Sequence, residues 1–337
     1  MTKLSLVRNR SVEKGAYRNV TKAIGNTPLV KLRHLSEDLH TNIYVKLESF
    51  NPGQSAKDRI AAYMIEQAER NGELEPGGTV IDATSGNTGL ALAMIAGIKG
   101  YRCVLAVADK ASSEKSNALK AMGAEIVLCP SKVKPEDPRS YYSKAISLSK
   151  EIPGAWYANQ NFNPNNNLAH YHSTGPEIWE QTEGKITHLV AAVGTGGTMC
   201  GTAKFLKEQN PNIEAVGVDA HGSVLKKYHE TGIFDDSEIH PYKIEGLGKS
   251  IIPGNVKFDI IDYFIRVNDK DSAHMARSCA KREGLCVGYS SGAAMQAVHQ
   301  KKDWKEDDVV VVIVSDHGCK YLSSIYNDDW MKEQGFL

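Results

Sequence analysis

Short, largely apolar runs alternate along this chain with longer stretches in which apolar residues return every three or four positions. The runs are rich in β-branched residues and occupy positions 43–47, 79–82, 103–107, 125–128, 189–193, 215–218 and 309–314. A strand with one solvated face would alternate polar and apolar, so these runs predict strands buried on both faces. The stretches 88–98, 113–122, 198–209 and 291–299 carry helical spacing, and another opens at Ile60. Strand and helix in alternation predict mostly parallel sheets joined by helical crossovers. Gly100, Gly123 and the pair Asn210-Pro211 stand where three of the helices should stop. No fixed-period repeat interrupts the pattern, and its two most irregular stretches, 130–138 and 232–253, read as loops or lids.

Composition narrows the class of ligand. The 337 residues allow two packed domains or one large α/β unit. Forty basic residues balance forty acidic ones, which argues against a nucleic-acid or anionic-membrane partner and for a small molecule. No apolar run approaches membrane-spanning length, and the basic N-terminal arm (Lys3, Arg8, Arg10, Lys14, Arg18) lacks the apolar centre of a signal peptide. A soluble, cytoplasmic protein is expected. The six cysteines form no CxxC pair, so buried thiols are expected in place of a zinc site or a disulfide framework.

In parallel sheets ligands gather beyond the carboxyl ends of the strands, which directs attention to three loops. Gly194-Thr-Gly-Gly-Thr198 joins a strand to a helix, where small residues let backbone N–H groups approach a phosphate. A tight turn is the plain alternative. A dinucleotide fingerprint is another, with Asp219 at the ribose-binding distance but Met199 where a glycine is needed. Thr84-Ser-Gly-Asn-Thr88 offers hydroxyls, an amide and a helix start, suited either to a carboxylate or to simple helix capping. Ser290-Ser-Gly292, before an alanine-rich helix, reads by itself as a cap. Lys57, in the turn Asn51-Pro-Gly-Gln-Ser-Ala-Lys-Asp-Arg59, is either a solvated charge or an amine desolvated enough to act as a nucleophile. His170 and His172 have no partner cluster and read as structural residues, not metal ligands. An amine, a phosphate cradle, a carboxylate loop and a serine hydroxyl together suit one cofactor, pyridoxal 5'-phosphate, whose aldehyde requires an amine and whose phosphate requires backbone donors.

At this point the chain resembles the fold-type-II, β-family pyridoxal-phosphate enzymes. The likeness runs through Gly25-Asn-Thr-Pro-Leu29, Ser55-Ala-Lys-Asp-Arg59, Thr84 to Thr88, Gly194 to Thr198, Glu245-Gly-Leu-Gly248 and Ser290-Ser-Gly292. Ser112-Ser-Glu-Lys115, Leu168-Ala-His-Tyr171 and Asn327-Asp-Asp-Trp-Met331 are most similar to the cystathionine β-synthase branch, with the O-acetylserine sulfhydrylases (cysteine synthases) as near relatives. The resemblance implies two three-layer α/β domains of the tryptophan synthase β-subunit-like type. The smaller, mobile one spans residues 48–160 and binds the substrate carboxylate; residues 1–47 and 161–337 form the larger, phosphate-binding one. It implies Lys57 as the Schiff-base lysine, Asn87 as partner of the cofactor's ring hydroxyl, and Gly194, Thr195, Gly196, Gly197 and Thr198 as the phosphate cup. Ser290 becomes the partner of the pyridine nitrogen, and Thr84, Ser85, Gly86, Thr88, Gln160 and Gly246 become substrate contacts.

The reaction implied is β-replacement on L-serine, passing through an aminoacrylate, with L-homocysteine adding to give L-cystathionine in a homodimer. Release or use of sulfide with cysteine belongs to the same expectation. A cysteine synthase, a serine or threonine dehydratase and a non-catalytic relative remain the alternatives. Two positions depart from the pattern: Ala56 replaces a commoner valine, and Lys249 stands where animal cystathionine synthases carry a tyrosine. Lys249 is either a cation for an acidic second substrate or a side chain directed into water. No Cys and His pair suited to haem stands in the N-terminal region, and no paired regulatory module follows, so a haem-free catalytic core is expected.

Overall fold

The computed structural model describes residues 16–134 and 136–337. Lys3, Arg8, Arg10 and Lys14 of the basic arm, and most of the N-terminal stretch on which the haem-free expectation rests, lie outside the described residues. Among the described residues ten strands form two sheets: β1 Leu29–Lys31, β2 Asn42–Leu47, β3 Thr79–Ala83, β4 Arg102–Ala108, β5 Glu125–Cys129, β6 Ala155–Tyr157, β7 His188–Ala192, β8 Glu214–Ala220, β9 Tyr263–Val267 and β10 Val309–Val314. One sheet has the order β1-β2-β10-β7-β8-β9 and the other β5-β4-β3-β6. Every pairing is parallel except β1 with β2. The expected α/β architecture of mostly parallel sheets is what the chain adopts.

The central strand shows why the apolar runs are continuous. Along β10, Val310, Val312 and Val314 enter one core with Val45, Val190, Met295 and Val298, while Val311 and Ile313 enter the opposite core with Leu189, Met199 and Leu206. Successive side chains leave opposite faces and helices cover both, so no polar position remains. β3 and β4 repeat the arrangement: Val80 and Leu105 face one core, Ile81 and Val104 the other. Burying one such side chain is worth about 1.5–3 kcal/mol relative to leaving it exposed.

Three strands were not predicted, β1, β6 and β9, and all three lie at sheet edges. The helices Asn87–Lys99, Ser113–Ala121, Gly197–Gln209 and Tyr289–Gln300 agree with expectation to within two residues. Gly100 takes a left-handed conformation at its helix C-cap, and Asn210 caps the third helix where expected. Residues 232–253 contain only the short turn Asp236–Glu238. The six cysteines are free, but Cys286 and Cys319 are half-buried, which corrects the expectation of uniformly buried thiols. Both sit against the loop after β10, where the chain has already left the core. Among the described residues no helix is long and apolar enough to cross a membrane.

Candidate active site

The segment after β2 is pinned before the helix Lys57–Arg70 begins. Asn51 Oδ1 accepts the Gly25 N–H at 2.8 Å and its amide donates to the Glu48 carbonyl at 3.0 Å. Ser55 bridges to Asp316, and the Ala56 N–H donates to the Ser315 carbonyl at 2.9 Å. Arg59, two residues into the helix, is held on both sides: its Nε and Nη2 donate to Glu48 at 2.6 and 2.8 Å, and its Nη1 and Nη2 to Glu177 at 2.7 and 2.8 Å. Lys46 Nζ joins the cluster on Glu177 at 2.7 Å and Gln181 at 2.8 Å. Burial opposes charge here, but the two carboxylates overcome it and raise the Arg59 pKa further, while Arg59 and Lys46 hold Glu177 well below the usual range.

Lys57 is different. Its side chain is half-buried, and among the described residues its amine has neither a hydrogen bond nor an ion pair. Burial pushes the pKa down, with the charge of Lys249 acting the same way and those of Asp316 and Glu48 opposing. That combination favours a neutral, nucleophilic amine.

The loop after β7 is shaped by two glycines. Gly196 stands at φ +92°, where a Cβ is disfavoured, and a Cβ on Gly197 would collide with the Asn166 carboxamide. Asn166 Nδ2 is occupied by the Gln160 carbonyl at 2.7 Å and Thr195 Oγ1 at 3.1 Å. Gly196 caps the thirteen-residue helix Gly197–Gln209 with no side-chain hydrogen bond. Among the described residues, the N–H groups of Thr195, Gly196, Gly197, Thr198 and Met199 find no protein acceptor. His170 Nε2 meets Thr198 Oγ1 at 3.1 Å and its Nδ1 meets Thr174 Oγ1 at 2.8 Å, so this buried imidazole orients a cup hydroxyl. Burial pushes its pKa down to about 3. His172 lies apart, stacked on Tyr63. Asp219, the residue of the dinucleotide alternative, is fully buried and accepts from the Lys226 N–H at 2.9 Å, facing its own loop.

The capping readings of the other two loops do not hold. Gly86 caps the helix Asn87–Lys99 with no side-chain bond; Thr88 Oγ1 donates to Gln160 Oε1 at 2.6 Å, and Thr84 Oγ1 accepts from the Gly86 N–H at 3.3 Å. A Cβ on Gly86 would meet nothing within 4 Å, so the loop faces open space. Gly288 caps the helix Tyr289–Gln300, which places Ser290 inside the first turn, buried, and without a hydrogen-bond partner among the described residues. Gly246 stands over it: a Cβ there would lie 3.9 Å from Ser290 Oγ. The Gly248 N–H, two residues on, donates to the Val193 carbonyl at the end of β7 at 2.9 Å. The structure thus gathers the 194–198 loop, Gly246 and Ser290, with Lys57 nearby. It sets Thr84, Ser85, Gly86, Thr88 and Gln160 together beyond the carboxyl ends of β3 and β6 in the other sheet, and Asn87 links the two groups through Asp316.

Sequence reasoning passed over Asp82, Asp316 and Lys320. Asp82 is buried, one of its oxygens has no partner, and burial pushes its pKa up to about 7. Asp316 is buried with its Oδ1 unpartnered, and burial raises its pKa as well. Lys320 donates to Asn87 Oδ1 at 2.6 Å. The rule that ligands lie beyond strand ends, applied to β10 as it was to β3 and β7, leads directly to 315–320. Lys249 is half-buried, and among the described residues its amine has no hydrogen bond or ion pair.

These features fit pyridoxal phosphate on structural grounds. Acceptor-free N–H groups at an uncapped helix start, a glycine that tolerates no side chain, and an unpaired amine are the three things its phosphate and aldehyde demand. Among the described residues no His, Cys, Asp and Glu side chains group to hold a metal ion.

Comparison with known proteins agrees. A cystathionine β-synthase from Apis mellifera is 42% identical over 322 residues, covering 95% of this chain and 63% of that protein, so the chain spans just under two-thirds of that relative's length. A cysteine synthase from Staphylococcus aureus (strain Mu50 / ATCC 700699) is 43% identical over 314 residues, covering 92% of this chain and 97% of that protein. Among solved structures, a hydrogen sulfide-producing enzyme from Fusobacterium nucleatum matches 91% of the chain with TM-score 0.83 and 36% identity. O-ureido-L-serine synthase matches 94% with TM-score 0.85 and 30% identity. The family model described as "Pyridoxal-phosphate dependent enzyme" matches residues 20–316, and the chain belongs to that family.

Proposed function

We propose that this chain catalyses β-replacement on L-serine, with L-homocysteine as the thiol acceptor and L-cystathionine and water as products. The observation that carries the reading is the unpaired, half-buried amine of Lys57, at a helix start pinned to Ser315 and Asp316 after β10, beside the strand β7 that leads into the acceptor-free N–H loop at 195–199. When bound, the cofactor supplies the aldehyde that condenses with an amine and the conjugated ring that stabilises negative charge at the substrate's Cα.

The residues do the rest. The 195–199 N–H groups and the Thr195 and Thr198 hydroxyls hold the phosphate. Thr84, Ser85, Thr88 and the helix start at Asn87 hold the substrate carboxylate, with Gln160 steadying Thr88. Ser290, a neutral hydroxyl, leaves the ring nitrogen unprotonated, which suits elimination and addition at Cβ better than transamination. Lys57 would take the Cα proton, and burial lowers its pKa in the direction of the basic form. Residues 48–160 close over the carboxylate and exclude water, with the Lys115–Glu245 ion pair and the Ser323–Glu114 hydrogen bond as contacts from the edge of one sheet to loops of the other.

A cysteine synthase activity is the second reading, favoured by the 43% identity that extends over nearly the whole of the Staphylococcus aureus relative. Lys249 weighs toward the first, because an unpaired cation beside Lys57 suits a thiol that carries a carboxylate and has no use for sulfide. Product analysis of the purified holoenzyme with serine plus homocysteine, and separately with O-acetylserine plus sulfide, decides between them. Cystathionine from the first mixture supports the proposal; cysteine alone, from the second, replaces it; pyruvate alone indicates a dehydratase.

A further inference from the structure

Asp316 and Lys320 converge on Asn87 from the far side of the cleft. Asn87 opens the helix that follows β3 in the four-stranded sheet, whereas Asp316 and Lys320 follow β10 in the six-stranded one. Asn87 Nδ2 donates to Asp316 Oδ2 at 2.8 Å. Lys320 Nζ donates to Asn87 Oδ1 at 2.6 Å and to the Gly53 carbonyl at 2.9 Å. Tyr321 Oη donates to the same Asp316 Oδ2 at 2.9 Å.

These partners fix which way the carboxamide faces. An ammonium only donates, so the Asn87 atom it meets is the oxygen; a flipped amide would set its NH2 against Lys320 and its oxygen against Asp316. Nδ2 carries two hydrogens, and Asp316 takes one of them. The carboxyl group is itself locked: Asp316 is 1% exposed, and its Oδ1 is packed so closely on Gly288 that a Cβ there would collide with it. Burial raises the Asp316 pKa, yet the clamp survives protonation, because two donors already converge on Oδ2 and the proton is left to Oδ1.

We propose that Asp316 and Lys320 are positioning residues that hold Asn87 with its remaining Nδ2–H presented to the cofactor's ring oxygen, stabilising that oxygen as an anion. This rests on the reading of the site given above. The Lys320 donor on Oδ1 also polarises the amide and strengthens Nδ2 as a donor, since hydrogen bonds in a chain reinforce one another. The clamp crosses from one sheet to the other, so it sets the cofactor's electronic state and the approach of the two halves with the same bonds.

The test uses the absorbance of the holoenzyme without substrate, where an ionised ring oxygen gives the longer-wavelength band and a neutral one a shorter-wavelength band. Lys320→Met and Asp316→Leu, which remove the donor on Oδ1 and the acceptor of Nδ2 respectively, should each lower the ratio of the two bands about tenfold, the size expected when a hydrogen bond to a charged oxygen is lost. Lys320→Arg, which keeps a donor on Oδ1, should restore the ratio. A structural role alone would change melting temperature and leave the ratio untouched. If either variant folds, binds cofactor and keeps the wild-type ratio, the clamp has no such role. A wild-type protein whose visible band survives Lys57→Ala would overturn the parent reading and this one with it; a normal wild-type band with an unchanged ratio in the variants overturns this one alone.

Discussion

Lys57 and Arg59 stand two residues apart in the first turn of one helix, and they meet opposite fates. Arg59 is 4% exposed and its guanidinium is satisfied by two carboxylates and the Thr27 hydroxyl. Lys57 is only half-buried, yet burial lowers its pKa and among the described residues no group pairs with its amine. The carboxylates divide the same way: Glu48 and Glu177 are fully engaged, while Asp82 and Asp316 each keep a buried oxygen without a partner. A buried charge with every bond made belongs to the scaffold, whereas one left short costs stability that a fold retains only where a ligand supplies the missing partner. Among these six groups pairing, not burial, separates scaffold from site, although Asp58 and Asp219, away from that comparison, also keep one buried oxygen without a partner.

The sharpest way to break that comparison is to remove each cation in turn. Arg59→Met strands Glu48 and Glu177, so the free energy of unfolding in denaturant titrations should fall by about 3–5 kcal/mol. Lys57→Met removes an unpaired amine and should cost nothing, with a gain of up to about 1 kcal/mol in the cofactor-free protein, while abolishing turnover. A loss at Lys57 equal to that at Arg59 would mean that Lys57 is part of the scaffold after all.

The same distinction explains what the sequence could and could not show. Strands covered on both faces announce themselves as apolar runs, unbroken in β10 and interrupted by Asp82 in β3, and the parallel architecture follows from them. The edge strands β1, β6 and β9 are three to five residues long and half-covered, as in the Tyr263, Ile265 and Arg266 positions of β9, so their pattern is lost among the loops. Glycine loops are legible because backbone shape dictates residue type, and Gly197 is there for want of space beside Asn166. Asp316 and Lys320 are not legible in that way. Neither residue type is demanded by local backbone, and their meaning comes from Asn87, 229 and 233 residues away along the chain.

Asp82 sharpens the comparison through pH. Its pKa is pushed by burial up to about 7 from an ordinary 3.8, so between those values the folded protein holds a proton that the unfolded chain has released. Its contribution to stability is therefore complete below about pH 4, declines as pH rises toward about 7, and is flat above. Asp82→Asn carries no such proton. Its unfolding free energy relative to wild type should climb by a few kcal/mol across that window and then level, as read from melts at a series of pH values. Asp58, whose pKa burial also pushes up to about 6, is common to both proteins and cancels in the difference. A difference that does not vary with pH would show that Asp82 finds a partner in solution and belongs with Glu48.

Lys249 gives the smallest effect and the finest test, because it asks what the missing partner is. Its backbone is fixed, with the N–H on Ser223 Oγ at 2.9 Å and the carbonyl accepting from the Val224 N–H at 3.0 Å, so a substitution changes the side chain without moving the loop. If the partner is the carboxylate of the incoming thiol, Lys249→Met should raise KM for homocysteine about tenfold, the value of one charge-assisted hydrogen bond, with kcat little changed. Sulfide has no carboxylate to lose, so its KM with O-acetylserine should stay where it was. Lys249→Arg keeps the charge and should retain most of the homocysteine affinity. An equal rise for both acceptors would instead assign Lys249 to the shared first half of the reaction, where its charge next to Lys57 helps hold that amine in its basic form.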